Sequence, residues 1–279
     1  MHYKLGLYEK SMPNALSLRE KLEVTAKTGY DYLELSIDET DEKLSRLDWT
    51  TGEVNALKDA IKDTAVPIKS ICLSGHRKYP LGSRDKSIQK RSLEIMQKAV
   101  TLASTLGVAI IQLAGYDVYY EKSGDDTQEI FGENLVKAVK MAAKEGVLLG
   151  FETMETDFLD TVEKAMFWVN KINSPYLQVY PDIGNLTNAA KLYCASPTDD
   201  LSKGMGHIVA VHLKETKPGI YREVPYGDGH VDFDSMIKIS HDMGVRMFVG
   251  EFWHMGEENW QEILRENNIF LRKIHDRIK

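Results

Sequence analysis

The sequence is short of cysteine, of excess positive charge and of long apolar runs. Its 279 residues hold only Cys72 and Cys194, far apart and in no metal or redox spacing, which points to a reduced compartment. Lys and Arg number 35 against 42 Asp and Glu, giving a formal charge of -7 and no general attraction for nucleic acid or an anionic membrane. An anionic substrate would have to be met by local basic groups. The first ten residues lack the apolar stretch of a signal peptide, and no later run approaches the roughly 20 apolar residues of a membrane span. A cytoplasmic protein is therefore expected. No segment is low in complexity or rich enough in Pro, Gly or Ser to act as an interdomain linker. With 43% hydrophobic residues available for a core, residues 1–279 are expected to form one domain.

What is present is a repeat of short apolar runs and long amphipathic ones. The first unit reads as strand 3–7, helix 18–28 ending at Gly29, and strand 32–36. Further strands are expected at 68–73, 108–113, 148–152, 177–181, 208–213 and 247–251, with helices at 51–64, 83–106, 128–145, 161–172, 233–243 and 260–278. The stretch 185–205, with small residues, Pro197 and two aspartates, predicts broken or short helices. Gly29, Gly107, Gly146 and Gly244 stand where helix caps precede the next strand. Eight βα units can close into an α/β barrel of the (β/α)8 TIM type or lie open as a doubly wound sheet. No Gly-x-Gly-x-x-Gly follows the first strand, which favours the barrel.

In such a barrel the chemistry sits at the C-terminal ends of the strands. Four apolar runs end in metal-capable side chains: Phe151-Glu152, Pro181-Asp182, Val211-His212 and Gly250-Glu251. One alone would more simply cap a helix or satisfy a core hydrogen bond. Four on consecutive strands, whose ends lie about 5 Å apart, converge on one cup. Three carboxylates and an imidazole would repel or strain one another without a cation, and they suit one divalent ion, Mn, Mg, Co or Zn. Such a site serves proton abstraction beside a ketone. Glu152 and Glu251, on strands five and eight, are expected to flank a sugar on opposite faces, one removing a proton and the other returning it.

At this point the sequence resembles the xylose-isomerase-like barrel superfamily and, within it, the L-ribulose-5-phosphate 3-epimerase family. The segments that carry the likeness are Gly6-Leu7-Tyr8-Glu9-Lys10, Asp38-Glu39-Thr40, Leu44-Ser45-Arg46-Leu47-Asp48-Trp49, Cys72-Leu73-Ser74-Gly75-His76-Arg77, Gln112-Leu113-Ala114-Gly115-Tyr116-Asp117-Val118-Tyr119-Tyr120, Tyr180-Pro181-Asp182-Ile183-Gly184-Asn185 and His212-Leu213-Lys214-Glu215-Thr216-Lys217-Pro218-Gly219. They extend over nearly the whole chain. The resemblance implies interconversion of L-xylulose 5-phosphate and L-ribulose 5-phosphate in L-ascorbate or pentose catabolism. It also implies that Glu152, Asp182, His212 and Glu251 are the metal ligands, with the two glutamates as acid/base pair. Free-sugar 3-epimerases often carry a His three residues after the strand-six Asp. This chain has Asn185 there, which can still bond a hydroxyl.

Phosphate recognition calls for basic groups near the mouth, and His76, Arg77, Lys78, Lys214 and Lys217 follow strand ends, with His76 and Lys214 the expected contacts. Tyr8, Glu9 and Tyr116 are expected to wall the sugar pocket. Tyr226-Gly227-Asp228-Gly229-His230 reads as a plain turn more readily than as a phosphate loop, and Phe252-Trp253-His254-Met255 as a lid or as packing. By analogy with the superfamily, a homodimer is expected. The expected partner is a small sugar phosphate, with no nucleic acid and no membrane. The alternative reaction is hexulose-6-phosphate isomerisation, since the same enediolate can take its proton at another carbon. Endonuclease-like cleavage of damaged DNA is opposed by the charge of -7, and a non-catalytic sugar-phosphate binder need not keep four intact strand-end ligands.

Overall fold

The computed structural model describes residues 2–278. Its strands are β1 (Lys4–Tyr8), β2 (Tyr32–Ile37), β3 (Ile68–Leu73), β4 (Ile110–Ala114), β5 (Leu148–Glu152), β6 (Leu177–Val179), β7 (Val211–Leu213) and β8 (Met247–Gly250). All pair in parallel, in the order β6-β5-β4-β3-β2-β1-β8-β7. Parallel bridges at Val179–Ile208 and Asp182–His212 join the two outer strands and close the ring. The chain is an α/β protein, a (β/α)8 TIM barrel.

The crossover helices start and stop on local chemistry. The helix Leu18–Lys27 opens with a capping box between Ser17 and Glu20, and Thr51–Thr64 opens with one between Thr50 and Glu53. The four glycines expected past helix ends all take positive φ, from 70° to 88°. The weak stretch resolves into two helices, Ile183–Tyr193 and Pro197–Ser202. Left-handed Cys194 ends the first, and Ser196 with Pro197 at the first turn begins the second. A short helix, Asp41–Ser45, was not expected, being too brief to show a period. Strands β6 and β7 are shorter than expected, because Pro181 has no N–H to give to a ladder.

Strand residues are buried on both faces, as they are when helices cover a parallel sheet; in β2 all six are buried. Period-two alternation then sets one file of side chains inside the barrel. Near the bottom this file is mostly apolar or aromatic: Tyr32, Cys72, Ile110, Tyr180, Ala210 and Val249 pack as a cluster of their own. Gly6 and Gly150 make room for the two largest. A Cβ at Gly6 would stand 2.4 Å from the Tyr32 ring, and one at Gly150 would stand 2.9 Å from Cβ of Tyr180. Two residues further along each of strands five to eight, the same file reaches Glu152, Asp182, His212 and Glu251.

Candidate metal centre at the barrel mouth

Each member of the quartet is delivered by its strand end. Glu152 closes β5, Asp182 is the N-cap of Ile183–Tyr193 and accepts from the Asn185 amide at 2.7 Å, His212 lies in β7, and Glu251 follows β8 with its amide bonded to Leu213 O at 2.9 Å. All four are buried, and one donor atom from each lies within 4.8 Å of the other three. His212 Nδ1 stands 3.2 Å from both Glu152 Oε1 and Glu251 Oε2. On the opposite edge of the ring, Nε2 stands 2.6 Å from Glu34 Oε1. Gln112 donates to Glu152 Oε2.

Lys214, the second residue after His212 in the chain, puts its Nζ 3.0 Å from Asp182 Oδ2 and 3.6 Å from Glu251 Oε2. Neither oxygen has a well-directed hydrogen bond, although both are buried. Buried acceptors left in that condition are costly, and a cation is the group that satisfies two at once. The donor set, hard oxygens with one imidazole nitrogen, fits a single divalent ion.

The electrostatics point the same way. Burial pushes the Asp182 carboxyl well above its ordinary range, with Lys214 pulling it back and Glu251 adding to the rise. Glu152 is raised too, by burial and then by Glu251. Burial would also raise Glu251, but Lys214 and His212 hold it well below the usual carboxylate range. For His212, burial opposes protonation and the carboxylates of Glu34 and Glu251 overcome it, so the imidazole is raised well above its ordinary value. A cluster that holds Lys214 charged and pulls a proton onto His212 is one that attracts positive charge.

Glu152 and Glu251 of the quartet open onto a small cavity, lined also by Tyr8, Lys10, Cys72, Ser74, Arg77, Met154, Glu155, Asn185, Lys214, Tyr221, Arg222 and Trp253. An adjoining cleft of about 400 Å³ shares Lys214, Glu251 and Trp253 with it. Tyr8, Asn185 and Lys214 thus reach the mouth. Asn185 is held by Thr153 O at 2.7 Å. Lys214 sits inside the carboxylate cluster rather than out at a phosphate position.

Three expected substrate contacts are corrected. Glu9 is fully buried and turned away from the cavity. Its Oε1 meets Lys21 Nζ at 2.9 Å, Lys43 Nζ at 2.5 Å and Arg46 at 2.8 Å, while Oε2 takes Arg46 at 2.6 Å and the Ser36 amide at 2.9 Å, leaving nothing for a ligand. His76 is buried with Nε2 3.2 Å from Ser92 O, and burial pushes its pKa down to about 4, so it carries no charge for a phosphate. Tyr116 does not line the cavity either. Its hydroxyl binds Glu155 at 2.6 Å and receives Arg77 at 3.4 Å, and those two residues do line it. The turn 226–230 is a plain one: amides of Gly227 and Val231 are taken by the Glu215 carboxylate, both at 3.1 Å.

Several residues escaped the sequence reasoning: Glu34 and Gln112, buried against the quartet, and Glu155 and Arg222 at the mouth. The only available signal for Glu34 and Gln112 was a polar residue inside an apolar run. Glu155 and Arg222 lie in loops and carried none. Trp253, expected as lid or packing, lines the cavity beside Tyr8, with ring centres 6.1 Å apart.

With the geometry in hand, the chain can be set beside known proteins. Residues 22–274 match the family model described as xylose isomerase-like TIM barrel. The chain belongs to that family. It is 40% identical over 278 residues to L-ribulose-5-phosphate 3-epimerase UlaE of Escherichia coli (strain SMS-3-5 / SECEC), a match covering 99% of this chain and 93% of that relative. The protein of the same name from Escherichia fergusonii is 39% identical over the same span. Relatives matched at this level over 93% of their length make this chain an enzyme of the isomerase class, an epimerase. Among solved structures, D-psicose 3-epimerase with D-tagatose from Clostridium cellulolyticum H10 aligns with TM-score 0.81 at 17% identity over 97% of this chain and 99% of that one. An L-ribulose 3-epimerase aligns with TM-score 0.75 at 17% identity over 98% and 96%. At that identity these two speak for the barrel alone. Among the described residues, no helix is long and apolar enough to cross a membrane.

Proposed function

We propose that this family member is a metal-dependent 3-epimerase that interconverts L-xylulose 5-phosphate and L-ribulose 5-phosphate. The observation that carries it is the gathering of Glu152, Asp182, His212 and Glu251, four donors from consecutive strands, within 4.8 Å. The substrate follows from the full-length likeness to the UlaE proteins. One divalent ion held by the four residues would supply the positive charge that stabilises the enediolate formed when C3 loses its proton.

The protein's own groups supply the rest. Glu152 and Glu251 reach the site from β5 and from the end of β8, and they serve as a pair: one carboxylate removes the C3 proton and the other delivers a proton to the opposite face. Their environments push them apart, Glu152 up and Glu251 down, as suits two carboxylates with unequal duties. Asp182 and His212 serve as ligands only. Lys214 offers its ammonium to the same developing negative charge, and Asn185 offers its amide to a hydroxyl. Trp253 and Tyr8 wall the cavity and restrict water.

A coupled assay on L-xylulose 5-phosphate, run before and after exhaustive chelation, tests the proposal. Activity is expected to vanish with the metal and to return when it is added back. Undiminished turnover by protein shown to be metal-free would sink it.

A further inference from the structure

Glu34 has no role in the mechanism above, yet it is as completely enclosed as the ligand Asp182. It lies mid-strand in β2, with no exposure at all, on the file that faces the barrel interior. A charge in such a place persists only when every oxygen is matched. Oε1 faces His212 Nε2 at 2.6 Å, and Oε2 accepts from Ser70 at 2.6 Å and from Tyr180 at 2.7 Å. The partners come from β3, the residue after β6, and β7, so the carboxylate spans the barrel beneath the quartet.

That arrangement fixes the imidazole in two ways. A carboxylate accepts and cannot donate, so Nε2 carries a hydrogen toward Glu34, and a cation that displaces the proton from Nδ1 would meet the ring's lone pair there. Nδ1 is the atom that stands 3.2 Å from both Glu152 and Glu251. The Tyr180 ring meets the imidazole edge to face, with centres 4.8 Å apart and planes at 65°, and its hydroxyl is tied to the same Glu34. Rotation and tautomer are therefore set by one carboxylate and the tyrosine it holds.

We propose that Glu34 is the positioning residue of the metal centre, holding Nε2–H of His212 so that Nδ1 is presented to the cation. The inference rests on the metal reading of the quartet and deepens it. Histidine ligands generally depend on such an outer carboxylate, and its loss typically weakens metal binding about 10–100-fold.

The test is a chelator-competition titration with Zn(II) alone on metal-stripped protein, paired with thermal melts of the same metal-free samples. Wild-type protein is expected to bind one ion. Glu34→Gln, which keeps the shape but removes the charge, is expected to bind it about 10–100-fold more weakly, with the far-UV spectrum of the metal-free protein unchanged. Tyr180→Phe, which removes one of the two donors to Glu34 Oε2 and keeps the ring against His212, should weaken binding by a smaller factor. Equal affinity in wild type and Glu34→Gln would overturn the role of Glu34. If Glu34→Gln does not fold, Tyr180→Phe decides the matter, and unchanged affinity there overturns that role. Failure of wild-type protein to bind any divalent ion would instead remove the metal reading itself.

Discussion

Two groups of buried charge lie near the C-terminal end of this barrel, and they are opposites. At the end of β1, one carboxylate, Glu9, is surrounded by Lys21, Lys43 and Arg46. Across strands five to eight, three carboxylates share one imidazole and one lysine, and two of their oxygens lack a well-directed partner. The first group is saturated and can take up nothing more. The second is short of positive charge and has a cavity above it. Both would look alike in sequence, as acidic residues ending apolar runs. What separates structure from site is whether the protein itself completes the partners.

The largest effect expected from breaking this contrast is on turnover. Glu152→Gln and Glu251→Gln should each lower the rate about 10²–10⁴-fold in the coupled epimerase assay, with an unchanged circular dichroism spectrum. A wild-type rate in either variant would take that residue out of the acid/base pair.

Next is stability on the saturated side. Glu9→Gln leaves two lysines and an arginine buried without their counter-ion, and it should cost about 3–5 kcal/mol in denaturant unfolding. The metal site of the folded fraction should be intact, which chelator competition would check.

The same residue makes a pH prediction. The cations, Arg46 foremost, outweigh burial and hold the Glu9 carboxyl well below the usual carboxylate range. The unfolded chain therefore binds this proton at higher pH than the folded one. The stabilisation is complete above the ordinary Glu value of about 4.3 and drains away as pH falls toward the folded value. Unfolding midpoints of wild type and Glu9→Gln should accordingly draw together as pH falls from about 6 to about 3. A constant gap would contradict the ion-pair explanation.

The smallest effect is expected at His76. Because it is neutral and lies off the cavity, His76→Gln should leave KM for the sugar phosphate unchanged, whatever it does to melting temperature. A raised KM at constant kcat would return His76 to the substrate.

The barrel and the quartet were legible in the sequence for one shared reason. Continuous apolar runs and strand-end placement are local properties, and each of Phe151-Glu152, Pro181-Asp182, Val211-His212 and Gly250-Glu251 displays them. The fate of Glu9 was not legible, since Lys21, Lys43 and Arg46 approach from three separate elements and nothing in the Gly6–Lys10 segment announces them. Glu34 was hidden for a related reason. A glutamate within Tyr32–Ile37 declares only that something must match it, and the match is His212, 178 positions away. His76 was misjudged because a basic residue after a strand end suggests the mouth, whereas the turn Ser74–Arg77 buries its ring against Ser92. Lys214 did reach the site, in among the carboxylates, where only the folded ring of strands could put it.

The most direct measurement is the metal content of three purified proteins by elemental analysis: wild type, Asp182→Asn and Glu9→Gln. One divalent ion per chain in wild type and in Glu9→Gln, with most of it lost from Asp182→Asn, is the predicted result. Equal content in all three, or none in wild type, would contradict the assignment of the unsaturated cluster as the metal centre.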